Sequence, residues 1–389
     1  MSVNNMGYEQ AATLLNNIVQ QATGNQSLAT VAPSDFISVA NTALAAGYDK
    51  VLNAITQLVG RTLVSVRDYR GKFLDMEMSD MEWGSIIRKL KIADVDWQDS
   101  AEFELVDGEA VDQWKVKKPN VLQLNFYGQN TFELQSPSVF MDQLDAAFSG
   151  PGELNRFVAG IGTTMANQRR QKDETVRRML IANFIGGKLA ADNGVIHLLT
   201  EYNTETGEEL TSTTVYAPDN FPNFVYWLYA RLETLAGLMS ERSELYQINV
   251  EGKPIKQFTD PANLRVKMYA PFMNAINARV RAKTFDNSYL EMAETEAVNF
   301  WQSIETPNSI KVTPTYMDTT GEVITGETQT ADDIIGIMYD RDAMGIVTQN
   351  ERVMQTPFNA RGHYSNIFWT YVQKWYSDFT EKAIILKMD

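Results

Sequence analysis

Hydrophobic residues in the first sixty positions recur at the spacing of an amphipathic helix. These positions are Phe36, Val39, Leu44, Val51, Leu52, Ile55, Leu58 and Val59. The stretch Pro33-Ser34-Asp35 before them is a typical helix start, because Ser and Asp side chains accept hydrogen bonds from free backbone N–H groups. The segment is rich in Ala, Asn and Gln, so we expect its helices to pack on another part of the protein.

From Thr62 to about Gln135 the period changes to two, which predicts β-strands with one solvent-exposed face. The alternating apolar positions include Leu90, Ile92, Leu122, Leu124 and Phe126. The stretch between Asp94 and Lys118 is dense in charge, and Trp97 and Trp114 stand among its Asp, Glu and Lys residues. We interpret this region as a long β excursion whose tip leaves the body of the molecule.

The break at Gly150-Pro151-Gly152 is followed by a long stretch with the 3.6-residue period of a helix. Its apolar face is marked by Leu154, Phe157, Val158, Ile161, Met165, Val176, Met179, Leu180, Phe184 and Ile185. The pattern predicts a helix over 153–185 that ends at Gly186-Gly187, since glycine commonly follows a helix C-terminus. At 1.5 Å per residue this helix is about 50 Å long, the length of a structural spine.

A β segment is predicted at Val195–Tyr216, and a helix is predicted to begin near Asp219 or Asn220. Strand and helix patterns then alternate to about Thr348, which indicates a separate α/β unit.

Seven aromatic residues occur in the sixteen positions from Tyr364 to Phe379. Ile367, Trp369 and Tyr371 alternate here with Phe368 and Val372, which predicts a strand that is apolar on both faces, and the later "KAIILKM" predicts its partner strand. Such a run is typical of a base-stacking platform, a ligand cage or a buried strand. Positive and negative residues are balanced around it, so burial in a sheet or at a subunit contact is favoured.

Composition narrows the class of protein. The 389 residues include no cysteine, which excludes disulfides, thiolate metal sites and a cysteine nucleophile. The formal charge is −15, the wrong sign for holding phosphate backbones or anionic membranes by net field. No apolar run approaches the roughly 20 residues that span a bilayer, so we expect no membrane partner and an unsecreted protein.

The sequence contains few residues or motifs that are typical of catalysis or ligand binding. The two histidines, His197 and His363, lie in unrelated contexts, and there is no G-x-S-x-G, Walker A or G-x-G-x-x-G sequence. The segment from Asp94 resembles a calcium loop, but Asp99 replaces the required glycine and Leu105 replaces the bidentate glutamate. The sequence therefore predicts no enzyme, no cofactor and no metal site.

Two further clusters are better explained by structure than by ligands. Met76, Met78 and Met81 lack a His or Cys partner for a soft metal. The basic residues of the long helix are Arg169, Arg170, Lys172, Arg177 and Arg178. Four pairs at i,i+4 with Asp173 and Glu174 are predicted to neutralise this charge, which argues against a DNA clamp.

The order of parts resembles that of tailed-bacteriophage major capsid proteins of the Hong Kong 97 type. The stretches "YRGKFLDMEMSDMEWGSIIRKLKIAD", "KKPNVLQLNFYGQNTFELQ" and "FNARGHYSNIFWTYVQKWYSDF" are similar to parts of the major capsid (head) proteins of small podoviruses, the phi-29-like group. Pro119-Asn120-Val121 and Asn359-x-Arg361-Gly362 are among the residues that carry this resemblance.

The resemblance implies an α+β Hong Kong 97-type capsid fold with five parts. These are an N-terminal helical arm at 1–61, an extended β loop (E-loop) at 62–133, a peripheral (P) domain at 134–215 with the spine helix 153–185, an axial (A) domain at 216–348, and return strands of the P domain at 349–389. Trp83, Trp97 and Trp114 are then predicted inter-subunit contacts. The predicted core of the P domain contains Ile367, Trp369, Tyr371 and Trp375.

The function implied by the resemblance is structural: self-assembly into hexamers and pentamers that form an icosahedral or prolate head shell around double-stranded DNA. The implied partners are other copies of the chain, a scaffolding protein, a portal or connector, and packaged DNA. The implied location is the virion, with assembly in the host cytoplasm. Another phage structural or scaffolding protein, and a nucleic-acid-binding protein, are the alternatives.

Overall fold

The described part of the chain combines helices and strands in an α+β fold. The computed structural model describes residues 8–23, 36–45, 47–55, 71–78, 86–95, 118, 120–136, 138–279 and 294–389. The helices are α1 Tyr8–Thr23, α2 Phe36–Ala45, α3 at 48–55, α4 Met141–Ala147, α5 Pro151–Ala190, α6 Leu198–Thr206, α7 Phe221–Ser240 and α8 Ala270–Arg279.

The strands range from two to twelve residues in length. They are β1 Ile87–Ile92, β2 Val121–Phe126, β3 Gly128–Gln135, β4 Val139–Phe140, β5 Val195–His197, β6 Leu264–Tyr269, β7 Glu294–Val298, β8 Ile310–Val312, β9 Thr315–Met317, β10 Val323–Thr325, β11 Gln329–Ala331, β12 Ile334–Asp340, β13 Met344–Gln355, β14 Tyr364–Ser365, β15 Ile367–Ser377 and β16 Ala383–Lys387.

The N-terminal helices share a hydrophobic core with the body of the protein. Leu15 of α1, Ala40 of α2 and Ile55 of α3 are buried in the same cluster as Leu154 of α5 and Trp369 of β15. The expectation that these helices pack on another part of the protein is therefore confirmed.

Helix α5 is longer than the pattern predicts, because it covers 40 residues and about 60 Å. The predicted end at Gly186-Gly187 is wrong, since both glycines lie inside the helix. A Cβ on Gly187 would stand 2.5 Å from Phe379, and one on Gly186 would overlap Val312. These glycines therefore serve close packing of the helix against the rest of the protein and do not terminate it.

Two sheets organise the body. One has three antiparallel strands in the order β13-β15-β3, and the other has five strands in the order β5-β16-β12-β6-β7. The prediction that "KAIILKM" pairs with the aromatic strand is wrong, because β16 lies between β12 and β5 in the second sheet. Four consecutive residues of β16 are buried, as is typical of a central strand covered on both faces.

The predicted β segment at Val195–Tyr216 is also corrected. Only Val195–His197 forms a strand there, and α6 follows at once. Leu198, Leu199 and Tyr202 bury one face of this helix, and Gly207, at φ 76°, ends it in the left-handed conformation that favours glycine. Helix α7 begins at Phe221, immediately after the predicted start.

Candidate assembly surface and its buried anchors

Strands β1 and β2 form an antiparallel hairpin, a two-stranded sheet whose register runs from Ile87 opposite Phe126 to Ile92 opposite Val121. Its outer face exposes Leu90, with 68% of its surface accessible, and Ile92, with 66%. Both residues are apolar, and the alternating pattern would place such residues on the buried face of β1. In the structure they lie on the exposed face instead. The outer face of this hairpin is a candidate contact surface.

The inner face of β1 carries lysines. Lys91 Nζ lies 2.7 Å from Glu381 Oε1 and 3.3 Å from Asp378 Oδ2, while Lys89 Nζ lies 3.2 Å from the same Asp378 oxygen. We call Lys89, Lys91, Asp378 and Glu381 the four-charge cluster. Successive side chains of a strand point to opposite faces. Because Lys89 and Lys91 point inward, Leu90 and Ile92 must point outward.

The Asp378 side chain is completely buried, and its Oδ1 accepts hydrogen bonds from the backbone N–H and the hydroxyl of Thr380. Burial would raise the pKa of Asp378, but the ammonium groups of Lys91 and Lys89 and the Thr380 hydrogen bonds hold this pKa below its usual value. Burial raises the pKa of Glu381, against the opposing charge of Lys91. The buried carboxylates are thus compensated by charge and hydrogen bonds.

Apolar contacts and hydrogen bonds also hold the hairpin against the body of the protein. Leu122 and Leu124 of β2 pack with Val250, Ile255 and Met317 in one small cluster. The Asp94 N–H donates to the Pro254 carbonyl at 2.8 Å, and the Asn120 side chain donates to the Gly252 carbonyl at 2.7 Å. The root of the β excursion therefore rests on the body.

A second charged anchor lies at the segment 71–78. Lys267, buried on β6, places its Nζ 2.6 Å from Asp75 Oδ1 and 2.9 Å from Glu296 Oε2. The Tyr339 hydroxyl donates to the other Asp75 oxygen at 2.7 Å, and the Phe73 N–H donates to Glu296. These contacts join the segment to the five-stranded sheet.

Helix α5 buries the charged residues Asp173, Glu174, Arg177 and Arg178. Arg169 pairs with Asp173 at 3.5 Å and Arg178 with Glu174 at 2.6 Å, so two of the four predicted pairs form. Arg177 instead pairs with Glu77. Of the basic residues that were candidates for a DNA clamp, Arg169, Arg177 and Arg178 form ion pairs within the protein, whereas Lys172 is exposed.

Aromatic strand β15 lies in the centre of the three-stranded sheet. Ile367, Trp369 and Tyr371 are buried, whereas Trp375 is partly exposed. The Arg169 guanidinium of α5 stands 4.6 Å from the centre of the Trp369 ring. The Tyr371 hydroxyl donates to Asp173 at 3.2 Å, and burial raises the pKa of that carboxyl. Helix α5 thus covers this face of the strand, which supports the buried-strand hypothesis over a stacking platform.

Three predicted contact residues, Trp83, Trp97 and Trp114, lie outside the described residues. Sequence reasoning missed the four-charge cluster. The only signal for it is that Lys89 and Lys91 alternate as regularly as Leu90 and Ile92, which leaves the inward face of β1 undetermined.

A membrane-spanning helix and a metal site each have requirements that the described part of the chain does not meet. None of its helices is long and apolar enough to cross a bilayer, and it holds no group of three or more His, Cys, Asp or Glu side chains placed to bind a metal. His197 Nδ1 lies 2.7 Å from Asp389 Oδ1, and His363 occupies a turn at φ 54°.

Solved phage structures share this arrangement of elements. The capsid structure of Staphylococcus phage Andhra superposes with a TM-score of 0.53 at 9% identity, over 83% of this chain and 86% of that chain. A structure from native bacteriophage P68, described as head fiber and inner core protein gp22, gives a TM-score of 0.53 at 8% identity, over 83% and 88%. A search of curated proteins found no match.

The fold is that of a phage capsid subunit of the Hong Kong 97 type. The family model for the Phi29-like phage major capsid protein matches residues 15–386, so the chain belongs to that family. It is therefore a structural protein of the phage virion, and it associates with other copies of itself in the capsid.

Proposed function

We propose that this chain forms hexamers and pentamers that close a head shell around double-stranded DNA, and that the outer face of the β1–β2 hairpin is one of the surfaces between copies. The observation that carries the proposal is the exposure of Leu90 and Ile92 on a hairpin whose inner face is fixed to the body. Two large apolar side chains on one exposed strand favour burial against a partner.

The proposal divides the chain into working parts. Residues 1–61 form the arm, 62–133 the E-loop, 134–215 with 349–389 the P domain, and 216–348 the A domain. The β1–β2 hairpin is then the root of the E-loop, with Trp83, Trp97 and Trp114 as contacts to neighbours. Ile367, Trp369, Tyr371 and Trp375 belong to the core of the P domain.

The proposed role is assembly without catalysis. A scaffolding protein and a portal or connector are the proposed partners during assembly in the host cytoplasm, and packaged DNA is the content of the shell. The formal charge of −15 supports a container that holds DNA without gripping it, since like charges repel.

Electron microscopy of the purified chain tests the proposal. The natural sequence should form shells, tubes or rings, and the double variant Leu90→Asp, Ile92→Asp should remain unassembled. The matched control is Ile304→Asp, which replaces an equally exposed apolar residue outside the hairpin and should still assemble. Natural protein that stays monomeric, or a double variant that assembles normally, would contradict it.

A further inference from the structure

The four-charge cluster joins the hairpin to the place where the two sheets of the body exchange strands. The chain passes from β15 to β16 through 378–382, and from β12 to β13 through 341–343. Lys89 contacts both connections, because its Nζ donates to the Asp342 carbonyl and to Asp378 Oδ2. The Asp378 N–H in turn donates to the Ala343 carbonyl at 2.7 Å, so the two connections are bonded to each other.

The contact between the hairpin and the body through the four-charge cluster adds little net stability. Bringing two ammonium groups and two carboxylates out of water costs nearly as much as their attraction returns, so a buried ion cluster adds little net stability. Removing one partner, however, leaves an uncompensated buried charge and is strongly unfavourable. Such a cluster fixes one docked position without strong net attraction.

The remaining contacts between the hairpin and the body are apolar side-chain contacts and hydrogen bonds at the base of the hairpin. Its ladder joins β1 to β2 and the two strands form their own sheet, so neither strand is built into a larger sheet of the body. Three residues of β2 and three of β1 supply its inward apolar and charged contacts: Leu122, Leu124, Phe126, Ile87, Lys89 and Lys91. The hairpin can therefore separate from the body with its own pairing intact.

We propose that the four-charge cluster is a releasable latch. The β1–β2 hairpin undocks from the strand-exchange point as a unit, while the three-stranded and five-stranded sheets stay folded. When the hairpin leaves, Asp378 and Glu381 gain access to water, so no unpaired charge stays buried. The latch is a property of the free chain and does not depend on the proposed contacts between copies.

Native-state hydrogen exchange on the unassembled full-length chain tests the latch without a variant. Amides of β1 and β2 should exchange at least about 10-fold faster than those of β15 and β16, because an undocked two-stranded hairpin is only marginally stable and its ladder then opens without global unfolding. Equal exchange rates in the hairpin and in the two central strands would overturn the proposal.

A pair of variants tests the role of the charges. Lys89→Met with Lys91→Met leaves two buried carboxylates unpaired, and should speed exchange in the hairpin by about 100-fold with β15 and β16 unchanged. Adding Asp378→Asn and Glu381→Gln removes those charges and should restore most of the protection. The control Lys253→Met removes a hydrogen bond of 3.1 Å to the Val121 carbonyl, outside the cluster, and should have little effect.

Each outcome of the variant experiment either supports or contradicts the proposed latch. Faster exchange confined to the hairpin supports the latch. Unchanged exchange in the lysine variant, or equal acceleration throughout the body, contradicts it. If the lysine variant fails to fold, the comparison of hairpin and central strands in the natural sequence decides alone.

Discussion

Strands β1 and β15 both carry large apolar residues at alternate positions, but these residues are exposed in β1 and buried in β15. Trp369 and Tyr371 of β15 turn into the protein, and Trp369 keeps only 2% of its surface accessible. Leu90 and Ile92 of β1 turn out to solvent, while Lys89 and Lys91, which alternate with them, turn in. Both strands are regular, so local periodicity does not account for the difference.

The difference lies in what covers each strand. Strand β15 has a neighbour on both sides, β13 and β3, and α5 lies across its face. Hairpin β1–β2 has a body on one side that presents buried carboxylates. The comparison teaches that apolar burial places β15, whereas the hairpin faces the body with buried charges as well as apolar side chains and leaves Leu90 and Ile92 exposed.

The largest expected loss of stability follows from reversing the buried acids of α5. Asp173→Lys with Glu174→Lys breaks the pairs with Arg169 and Arg178, and each broken buried pair should cost about 3–5 kcal/mol. Added salt should recover little, because buried charges are weakly screened. Thermal melting and a gel shift with DNA provide the measurement, and a stably folded variant that binds DNA more tightly would refute the structural role.

Truncation of the aromatic strand comes next. Trp369→Ala should lower the free energy of unfolding by about 3–5 kcal/mol, because a fully buried indole is lost. Trp375→Ala is the matched comparison on the same strand, and it should cost less because Trp375 is partly exposed. Denaturant unfolding measures both values. Equal, small losses would mean that β15 is not the buried centre of the sheet.

The sequence allows much of this architecture to be predicted, and its failures have a physical cause. The long helix, the hairpin strands and the start of α7 follow from periodicity and capping. The end of α5 does not, because Gly186 and Gly187 serve packing against residues more than a hundred positions away. The pairing of β16 and the inward lysines of β1 likewise depend on distant partners, which no local pattern contains.

A smaller effect should appear in the pH dependence of stability. Lys188 is completely buried, and burial lowers the pKa of its ammonium group to about 7. Its Nζ donates to the Asn193 side chain and the Tyr246 carbonyl, and the negative charge of Asp378 only partly opposes the effect of burial on this pKa. Between pH 7 and about 10 the unfolded chain holds more protons at this residue, so the free energy of unfolding should rise with pH.

The variant Lys188→Met should flatten this rise, because it removes the titrating group. The exposed Lys172→Met is the control and should keep the slope of the natural sequence. Urea unfolding at a series of pH values measures the slopes. A slope that is the same in all three proteins would show that the Lys188 ammonium stays protonated.

The smallest effect on the free chain is expected from the exposed face of β1. Leu90→Asp with Ile92→Asp should change the free energy of unfolding by no more than about 0.5 kcal/mol per residue, as is usual at exposed positions. The same changes should abolish assembly. A loss of stability comparable with that of Trp369→Ala would mean that this face is covered within the subunit.

Side-chain footprinting of free and assembled protein tests the central claim most directly. A reagent that inserts into exposed C–H bonds should label Leu90 and Ile92 strongly in the unassembled chain, while the buried Trp369 remains unlabelled in both states. In purified shells, labelling of Leu90 and Ile92 should fall by at least about 10-fold, because burial between copies excludes the reagent. Equal labelling in free chain and shell would contradict the account.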